Sequence, residues 1–560
     1  MRCLCLLRTV RVASIVLFAA LLAAGSRPVL AEPSRQQNAE AFEVAQWAFM
    51  SSAGRALRQL ALRSAGGDPE LAALVRKRQD LVELASARDA EIVRRAGDGQ
   101  AGSADAIVRL RGEIDSIRAE IAAVDAGLTR DFPRYRELAD PAPLSLDAVR
   151  ALLGEDESLL FVLTGREAVH IWAVSRAASV WHRAFIPPAF LAEEVATLRA
   201  DLDPDAATRG ARTLVAGMDG PRIPAFDRTI AHFLYTQLIE PVESVIGATH
   251  HVFVVADGAL SGLPLSVLVS EPPAGADTDP AAMRATAWLA KRFAFTTLPS
   301  VDSLSAIRSR PRARDGGDRA AFLGIGAPVL GGRPVRSVAD AAPDGSFFRG
   351  ALADVTAVRN LPPLPQTGPE LRRLAEALSA GEDDLLLGEA ATETAVKTMD
   401  LSRVGILAFA THGLLSGDLP GLAEPALVLT PPEVATVEDD GLLTASEVAG
   451  LNLSADWVLL SACNTAGSDG APDAEGLSGL ARAFIYAGAR AILVSHWPVR
   501  DDAAARLTTG AIRALGAESG IGRAEALRRS MLAVMQDERD PSLAHPSAWA
   551  PFVLVGEGGE

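Results

Sequence analysis

The amino-acid sequence predicts an α/β protein, with a mostly parallel β-sheet that is flanked by helices and preceded by an α-helical region. The main observation is that short, nearly continuous apolar runs alternate with amphipathic stretches from residue 230 onward. Such runs are typical of strands covered on both faces, and their alternation with helices indicates parallel crossover connections. A second observation is a heptad spacing of apolar residues before residue 132, which indicates packed helices.

The composition limits the classes of protein to which the chain can belong. Its 560 residues allow about three or four domains. Apolar residues make up 49% of the chain and charged residues 22%, which is ordinary for a globular protein. The net charge of −16 argues against a surface that coats nucleic acid or binds an anionic membrane.

The cysteines and the sequence motifs exclude further classes. Three cysteines are present, Cys3, Cys5 and Cys463, which excludes a disulfide-rich scaffold and a four-cysteine zinc or iron–sulfur site. Neither a phosphate-binding loop nor a G-x-S-x-G nucleophile elbow occurs, which disfavours nucleotide binding and serine hydrolysis. We therefore expect no metal ion, no cofactor and no nucleic-acid partner.

Residues 1–31 have the pattern of a secretory signal peptide. A basic start is followed by an apolar run at residues 12–24 and by Val29-Leu30-Ala31, a small-residue pattern for cleavage. The run is shorter than the ~20 residues that cross a bilayer. We expect cleavage after Ala31 and export to the periplasm or the medium, and the alternative is an uncleaved membrane anchor. Cleavage would remove Cys3 and Cys5 and leave Cys463.

Residues 32–132 are predicted to form a helical hairpin or coiled-coil region, whose opening helix is compatible with a remnant of a tetratricopeptide (TPR) repeat. Apolar residues recur in steps of three and four at Ile107, Leu110, Ile114, Ile117, Ile121, Val124 and Leu128. The glycine-containing segment 95–104 separates this helix from the preceding one. Two roles stay open for the region: an interdomain brace, and a surface that binds a protein regulator.

Residues 144–229 are predicted to lead into the α/β domain, which covers residues 230–560. Prolines between residues 133 and 143 mark a hinge, and Ser145 is a plausible helix start. Residues 158–164 and 168–174 are rich in strand-forming residues and flank a Gly165-Arg166 turn. This pattern predicts a β-hairpin.

Six apolar runs of the α/β domain are predicted as buried strands, at 251–256, 320–326, 405–411, 457–462, 489–495 and 552–556. Amphipathic segments predict helices at 370–379, 477–488, 501–515 and 523–536. In sheets of this kind, functional residues lie at the carboxyl ends of the strands.

Two of the predicted strands are followed by side chains that are suited to nucleophilic catalysis. His412 and Gly413 follow the strand at 405–411, and Cys463 follows the strand at 457–462. If these strands are adjacent and parallel, His412 and Cys463 emerge side by side. An imidazole can accept the proton of a thiol or stabilise the thiolate, which then attacks a carbonyl. The N–H groups of Gly413 and Cys463 are candidates for an oxyanion hole.

The segments around these residues resemble CHAT domains, a caspase-like family that is related to separases and is often found behind TPR repeats. The resemblance covers residues 230–556 and is carried by segments such as AFATHGLLSG (408–417), DGLLTASEVAGLNL (440–453), VLLSACNTAG (458–467) and EGLSGLARAFIYAGARAILVSHWPV (475–499).

This resemblance implies a caspase–hemoglobinase sheet and a cysteine endopeptidase whose dyad is His412 and Cys463. Cys463 would attack a carbonyl of a protein or peptide substrate, and His412 would protonate the leaving amine before water releases the acyl-enzyme. The alternative is a non-catalytic caspase-like module that binds protein partners. Two residues depart from the family pattern: His496 stands in place of an aliphatic residue, and Ala474 in place of a glycine.

Acidic residues near the predicted strand ends are candidates for substrate binding. Asp257 follows the strand at 251–256, where a carboxylate would select Arg or Lys at the P1 position of a substrate. Asp-Gly is also a common start of a turn, and both interpretations stay open. Glu475, together with Asp469 and Asp473, would add negative charge after the nucleophile or belong to a solvated loop.

Three histidines have structural interpretations. His250 and His251 are expected at a solvated strand start, with their side chains on opposite faces of the sheet. His496 is expected to be a packed or partly exposed histidine at a strand end, in preference to a third catalytic residue.

Overall fold

The computed structural model describes residues 35–64, 103–131, 143–203, 225–308, 320–331, 355–414, 424–461 and 479–559, apart from 437, 498 and 519, together with 74, 77, 81 and 422. The chain divides into two compact units, Met1–Ala41 and Phe42–Glu560. The described part of the first unit is residues 35–41, where a long helix begins. The predicted signal peptide at 1–31 lies outside the described residues. Within the described ranges, no helix has both the length and the apolar content that crossing a bilayer requires.

The first part of the chain contains helices α1 (Arg35–Ser64), α2 (Ser103–Asp131) and α3 (Leu146–Leu152), strands β1 (Glu157–Thr164), β2 (Val169–Ser175) and β3 (Ser179–Ala184), helices α4 (Pro188–Leu202), α5 (Arg228–Leu238) and α6 (Glu243–Ile246), strand β4 (His251–Ala256), helix α7 (Pro280–Ala285), strand β5 (Ala294–Thr297) and helix α8 (Ser303–Arg308).

The second part contains β6 (Ala320–Gly326), α9 (Val355–Arg359), α10 (Thr367–Ala377), β7 (Leu385–Leu387), α11 (Glu393–Thr398), β8 (Val404–Ala410), β9 (Gly413–Leu414), β10 (Ala426–Val428), β11 (Leu442–Thr444), α12 (Ala445–Ala449), β12 (Trp457–Ser461), α13 (Gly479–Ala487), β13 (Ala491–Ser495), α14 (Asp501–Ala517), α15 (Arg523–Met535), α16 (Pro546–Trp549) and β14 (Phe552–Gly556).

The predicted α/β class is confirmed by a large mixed sheet that is parallel along most of its length. Its eleven strands have the order β3-β2-β1-β4-β5-β14-β13-β12-β8-β6-β7. Strands β1, β4 and β5 are parallel to one another. Strands β13, β12, β8, β6 and β7 are also mutually parallel, but β13 and β14 pair antiparallel. The sheet therefore has two half-sheets, one from β3 to β14 and one from β13 to β7, which meet at the antiparallel pair of β13 and β14.

The two long helices α1 and α2 occupy the region in which helices were predicted. On α2, Ile114, Ile117 and Val124 are buried, in agreement with the heptad spacing, while the side chains of Ile107 and Leu128 are outside the described set. Most of the chain between α1 and α2 also lies outside the described residues, so the hairpin stays a prediction.

Helix α1 packs on the sheet through aromatic side chains. Phe42 is fully buried, and its ring meets the ring of Phe161 on β1 edge to face, at a centroid distance of 5.8 Å. Gln46 fixes the same helix to the chain before α3, because its side-chain amide donates to the carbonyl of Leu144 and accepts from the Leu144 N–H, at 2.8 and 2.9 Å. The predicted β-hairpin is present as β1 and β2, and the sheet extends it by the unpredicted strand β3.

Helices cover both faces of the half-sheet that contains β8 and β12. On one face, apolar residues of these strands, such as Leu407, Phe409, Val458 and Leu460, form a buried cluster with Phe484 of α13. On the opposite face, α10 packs against β6 and β8 and also contacts α14. Fully buried strands explain why these segments are almost continuously apolar in the sequence.

A small three-stranded sheet, in the order β11-β10-β9, follows the end of β8. Val428 on β10 and Leu442 on β11 pack against Val358 of α9 in a separate buried cluster. This sheet begins directly after His412, because β9 starts at Gly413.

An ion-pair network lies where β1 begins. Arg308 of α8 donates from Nη2 to both carboxylate oxygens of Glu157, at 2.7 Å each. Arg308 also approaches Glu557 at 3.7 Å, and Glu557 pairs with Arg490 at 2.5 Å. The network therefore connects α8, the first strand and the segments that flank β13 and β14.

Candidate active site

The ends of β8 and β12 lie side by side. The two strands are adjacent and parallel, and Ala410 pairs with Ser461 at the last described residue of each strand. His412 follows Ala410 by two residues, and Cys463 follows Ser461 by two residues. The strand arrangement on which the predicted dyad depends is therefore present.

The position of Cys463 itself is not part of the described structure, since residues 462–478 lie outside the described ranges. The same holds for Ala474 and Glu475, and for the two aspartates that precede them. Cys463 as nucleophile and oxyanion donor, and Glu475 as a substrate-binding residue, therefore stay predictions.

His412 is held by a contact that the sequence did not predict. Its Nε2 lies 2.7 Å from the carbonyl oxygen of Pro362. A carbonyl can only accept a hydrogen bond, so the contact requires the proton on Nε2 and leaves Nδ1 as an acceptor. The half-buried imidazole is thereby fixed in a tautomer whose free nitrogen can take a proton from a thiol.

The segment that carries Pro362 is fastened to the loop after β10. Nη2 of Arg359, the last residue of α9, donates to the carbonyl of Pro432 at 2.7 Å and lies 3.5 Å from that of Pro431. Arg359 precedes Pro362 by three residues, so this anchor fixes the start of the segment that supplies the acceptor for His412.

The backbone N–H of Gly413 points away from the small sheet. Gly413 on β9 lies opposite Leu427, and the adjacent bond runs from the N–H of Val428 to the carbonyl of His412, at 3.0 Å. This pattern makes Gly413 and Leu427 a non-hydrogen-bonded pair, in which the N–H groups are directed away from the partner strand. Because β9 is an edge strand of the small sheet, the Gly413 N–H lies outside the hydrogen-bond ladder of that sheet, and its role as an oxyanion donor stays a prediction.

Two close contacts fix the strand ends around this site. Gly326 is the last residue of β6. A Cβ at this position would lie 2.2 Å from the carbonyl oxygen of Ala410, so β6 approaches the end of β8 more closely than any residue with a side chain would permit. On β12, the hydroxyl of Ser461 donates to the buried carboxylate of Glu370 on α10, at 3.0 Å.

The role of Asp257 stays a prediction. Asp257 follows β4, and the segment after it lies close to the end of β13, because Arg199 donates to the carbonyls of Gly262 and His496. The carboxylate of Asp257 accepts a hydrogen bond from the backbone N–H of Thr164 at 2.7 Å, and burial raises its pKa. Because Cys463 lies outside the described residues, contact between Asp257 and a P1 side chain stays a prediction.

The other histidines have structural environments. His496 is buried, as expected for a packed strand end, and its ring stacks on that of Trp497. His250 is exposed while His251 is buried, so the two side chains do take opposite faces. The expectation of solvation is wrong for His251, whose Nε2 lies 2.8 Å from the hydroxyl of Thr296.

The arrangement is suited to acyl transfer through a nucleophile at the end of β12. It combines an imidazole with a defined tautomer, a backbone N–H outside the ladder of the small sheet, and two adjacent parallel strands. Among the described residues, no group of three or more His, Cys, Asp or Glu side chains is placed to hold a metal ion.

The chain belongs to the CHAT domain family, whose model matches residues 228–557. This match contains every strand of the half-sheet that carries His412, and the small sheet beside it.

Curated relatives include human tetratricopeptide repeat protein 28, which is 26% identical over 376 residues, and its mouse counterpart, which is 31% identical over 233 residues. These alignments cover 60% and 35% of this chain, but 13% and 9% of the relatives. The chain therefore matches a small part of the length of either relative.

Solved structures with a similar arrangement include two crystal structures of the Saccharomyces cerevisiae separase–securin complex, each 10% identical, with TM-scores of 0.42 and 0.41. The aligned regions cover 90% and 82% of this chain, and 36% and 34% of the matched separase chains. A complex of the pro- and mature domains of Porphyromonas gingivalis RgpB has a TM-score of 0.31 at 12% identity, and covers 55% of this chain and 64% of that one.

Proposed function

We propose that the chain is a cysteine endopeptidase that hydrolyses peptide bonds of a protein substrate, with His412 and Cys463 as its dyad. The observation that carries this proposal is the parallel pairing of β8 and β12, whose last described residues, Ala410 and Ser461, lie opposite each other. Each member of the dyad follows its strand by two residues. Membership of a caspase-like family supports the same chemistry.

The mechanism would use His412 first as a base and then as an acid. Nδ1 takes the thiol proton of Cys463, and the thiolate adds to the scissile carbonyl carbon. The resulting oxyanion accepts hydrogen bonds from the N–H groups of Gly413 and Cys463. When the C–N bond breaks, the imidazolium gives its proton to the leaving amine and a thioester remains. His412 then takes a proton from water, which attacks the thioester and releases the acid and the free thiol.

Pro362 would orient the imidazole throughout these steps. Its carbonyl accepts from Nε2 of His412 and stabilises the imidazolium that forms when Nδ1 is protonated. A backbone acceptor is neutral, so it orients the ring without adding a titratable group to the site.

The proposal is tested with purified protein and thiol-reactive peptide probes, with Arg, Lys, Asp or Leu at P1, under reducing conditions at neutral pH. We expect covalent labelling of the wild type, loss of labelling in Cys463→Ala, and labelling that is at least a hundred-fold slower in His412→Ala. His250→Ala is the matched control, because His250 is an exposed histidine that is bonded to Asp156; it should label at the wild-type rate.

Two outcomes contradict the proposal. If the wild type takes no label from any of the probes, the enzymatic function fails, and the chain is better described as a caspase-like module that binds protein partners. If His412→Ala labels as fast as the wild type, Cys463 is a reactive thiol but the dyad is not present.

A further inference from the structure

A large cavity lies along β4, β5 and β14, in the half-sheet that does not carry His412. Its volume is about 930 Å³, within the range of about 300–1,000 Å³ that is usual for small-molecule sites. Among the described residues, none from β8, β12 or the small sheet lines it. The cavity is therefore built from different strands than the candidate dyad.

The walls of the cavity are mainly apolar. Strands β4 and β5 contribute Val254 and Phe295, and helices α4 and α15 contribute Leu191 and Met531. Leu263 closes the wall from the segment after β4. That segment is held in place by Arg199 of α4, which donates to the carbonyls of Gly262 and His496. An occupant must therefore have a largely apolar body.

Two buried polar side chains in the wall each have an atom to which no described residue forms a hydrogen bond. Ser266 and His496 are 5% and 4% exposed, and both line the cavity. The hydroxyl of Ser266 and Nδ1 of His496 have no hydrogen-bond partner in the described part of the chain. Burying such a group unpaired costs about 1–3 kcal/mol, so native proteins rarely leave it without a purpose. A ligand that supplies the missing hydrogen bond would remove this cost.

The ionisable groups of the wall are disfavoured in their charged form, paired or exposed. Burial, followed by the nearby charge of Arg199, lowers the pKa of His496 to about 3, so the imidazole is neutral at physiological pH. Burial raises the pKa of Asp257, which disfavours its charged form. Three arginines line the cavity. Arg528 forms an ion pair with Glu525 at 2.5 Å, and Arg482 also interacts with another group of the protein. Arg166 is exposed to solvent.

We propose that this cavity binds an uncharged, mainly apolar organic molecule that carries a hydrogen-bonding group, and that Ser266 or His496 pairs with that group. None of the described residues of β8, β12 or the small sheet lines the cavity, and the proposal holds whether or not the chain is a peptidase.

The first test uses a matched pair of fluorescent probes. N-phenyl-1-naphthylamine is uncharged and has one N–H donor, and 8-anilino-1-naphthalenesulfonate is the same molecule with an added sulfonate. We expect the full chain to bind the uncharged probe with a 1:1 stoichiometry, and to bind the sulfonate at least ten-fold more weakly. Absence of binding by the uncharged probe would overturn the proposal. Equal affinity for both probes would overturn the proposal that the occupant is uncharged. It would indicate that the sulfonate contacts a cationic side chain, such as Arg166 at the exposed end of the cavity.

The hydrogen-bonding group is tested with 1-benzylnaphthalene, in which a CH₂ group replaces the N–H. As a competitor of the fluorescent probe it should bind about five-fold more weakly, since a net hydrogen bond contributes about 1 kcal/mol. Equal affinity would show that the polar groups of the wall do not contribute to binding.

Variants locate the binding site. Ala192 on α4 is half-buried and lines the cavity, whereas Ala196 on the same helix is exposed and does not. Ala192→Trp should weaken binding of the uncharged probe at least five-fold, and Ala196→Trp should leave it unchanged. If Ala192→Trp fails to fold, Ala189→Trp serves instead, because Ala189 is exposed and also lines the cavity. Wild-type affinity in a folded cavity variant would place the probe elsewhere and overturn the proposal.

Discussion

Nε2 of His412 lies 2.7 Å from the carbonyl oxygen of Pro362. The contact assigns the ring proton to Nε2 and makes Nδ1 the nitrogen that can act as a base. Since the acceptor is a backbone atom, the orientation of the imidazole depends on the path of the chain around Pro362, and not on the chemistry of the side chain at that position.

Loosening this path should slow catalysis without unfolding the protein. Arg359→Ala removes the hydrogen bond to the carbonyl of Pro432, so we expect the rate constant for labelling by a peptide probe to fall about ten-fold, which corresponds to about 1.4 kcal/mol. Arg372→Ala is the control, because Arg372 is exposed and pairs with Glu382. Equal labelling rates in the two variants would show that Arg359 does not position Pro362.

The close approach of β6 and β8 should make Gly326 sensitive to any side chain. In Gly326→Ala, the new Cβ would lie 2.2 Å from the carbonyl of Ala410, so the strands must separate. We expect a loss of about 3 kcal/mol or more in the free energy of unfolding. Gly331→Ala is the matched control, since a Cβ there meets nothing within 4 Å. Denaturant unfolding of both variants measures the difference, and similar stabilities would contradict the described packing.

Glu157 should make stability depend on pH at the acidic end. Burial alone would raise its pKa, but hydrogen bonds from His251, Arg308 and the Gly154 N–H lower the pKa to about 2. Because the folded pKa lies below the unfolded value of 4.5, this contribution is present above pH 4.5 and is lost as the pH falls toward 2. It amounts to roughly 3 kcal/mol.

The measurement compares Glu157→Gln with the wild type in urea unfolding between pH 7 and pH 2. The difference in stability should be largest at neutral pH and should shrink below pH 4.5. Glu167→Gln is the control, since Glu167 is exposed and lies 3.8 Å from Arg183; we expect a change of less than about 0.5 kcal/mol. A difference for Glu157→Gln that does not vary with pH would rule out this origin.

Docking of α1 on the sheet should depend on Phe42. Phe42→Ala removes a fully buried ring from its contacts with Phe161 and Trp172, so we expect a loss of about 3–5 kcal/mol. Trp47→Ala, on the same helix, should change the stability little because Trp47 is 56% exposed. Thermal unfolding of the two variants makes the comparison, and equal midpoints would mean that α1 does not contribute to the folded unit.

Export stays a prediction from the first 31 residues. We expect that protein isolated from its native host begins at Glu32, because the small residues Val29 and Ala31 fit a signal-peptidase site. N-terminal sequencing of that protein is the measurement. A chain that begins at Met1 or Arg2 would contradict cleavage and would favour the membrane anchor.

The sequence predicted the buried strands well because each is a local signal. The strands at 251–256, 320–326 and 552–556 agree with β4, β6 and β14 at both ends. The short strands β5 and β7 were missed, since four and three residues carry too little periodicity to identify them.

The order of strands in a sheet is not a local property, so the sequence did not place β14 between β5 and β13. The acceptor for His412 was missed for a related reason. Every residue has a carbonyl, and only the tertiary path selects the one at Pro362.

The antiparallel junction has a consequence for biosynthesis. Strand β14 comes after every other described strand in the sequence, yet it lies between β5 and β13 near the middle of the sheet. While the chain is on the ribosome, the two half-sheets can each form but have no shared strand to join them. The continuous sheet is completed when residues 552–556 emerge, so a chain that stops before this point would keep two unjoined halves with exposed strand edges.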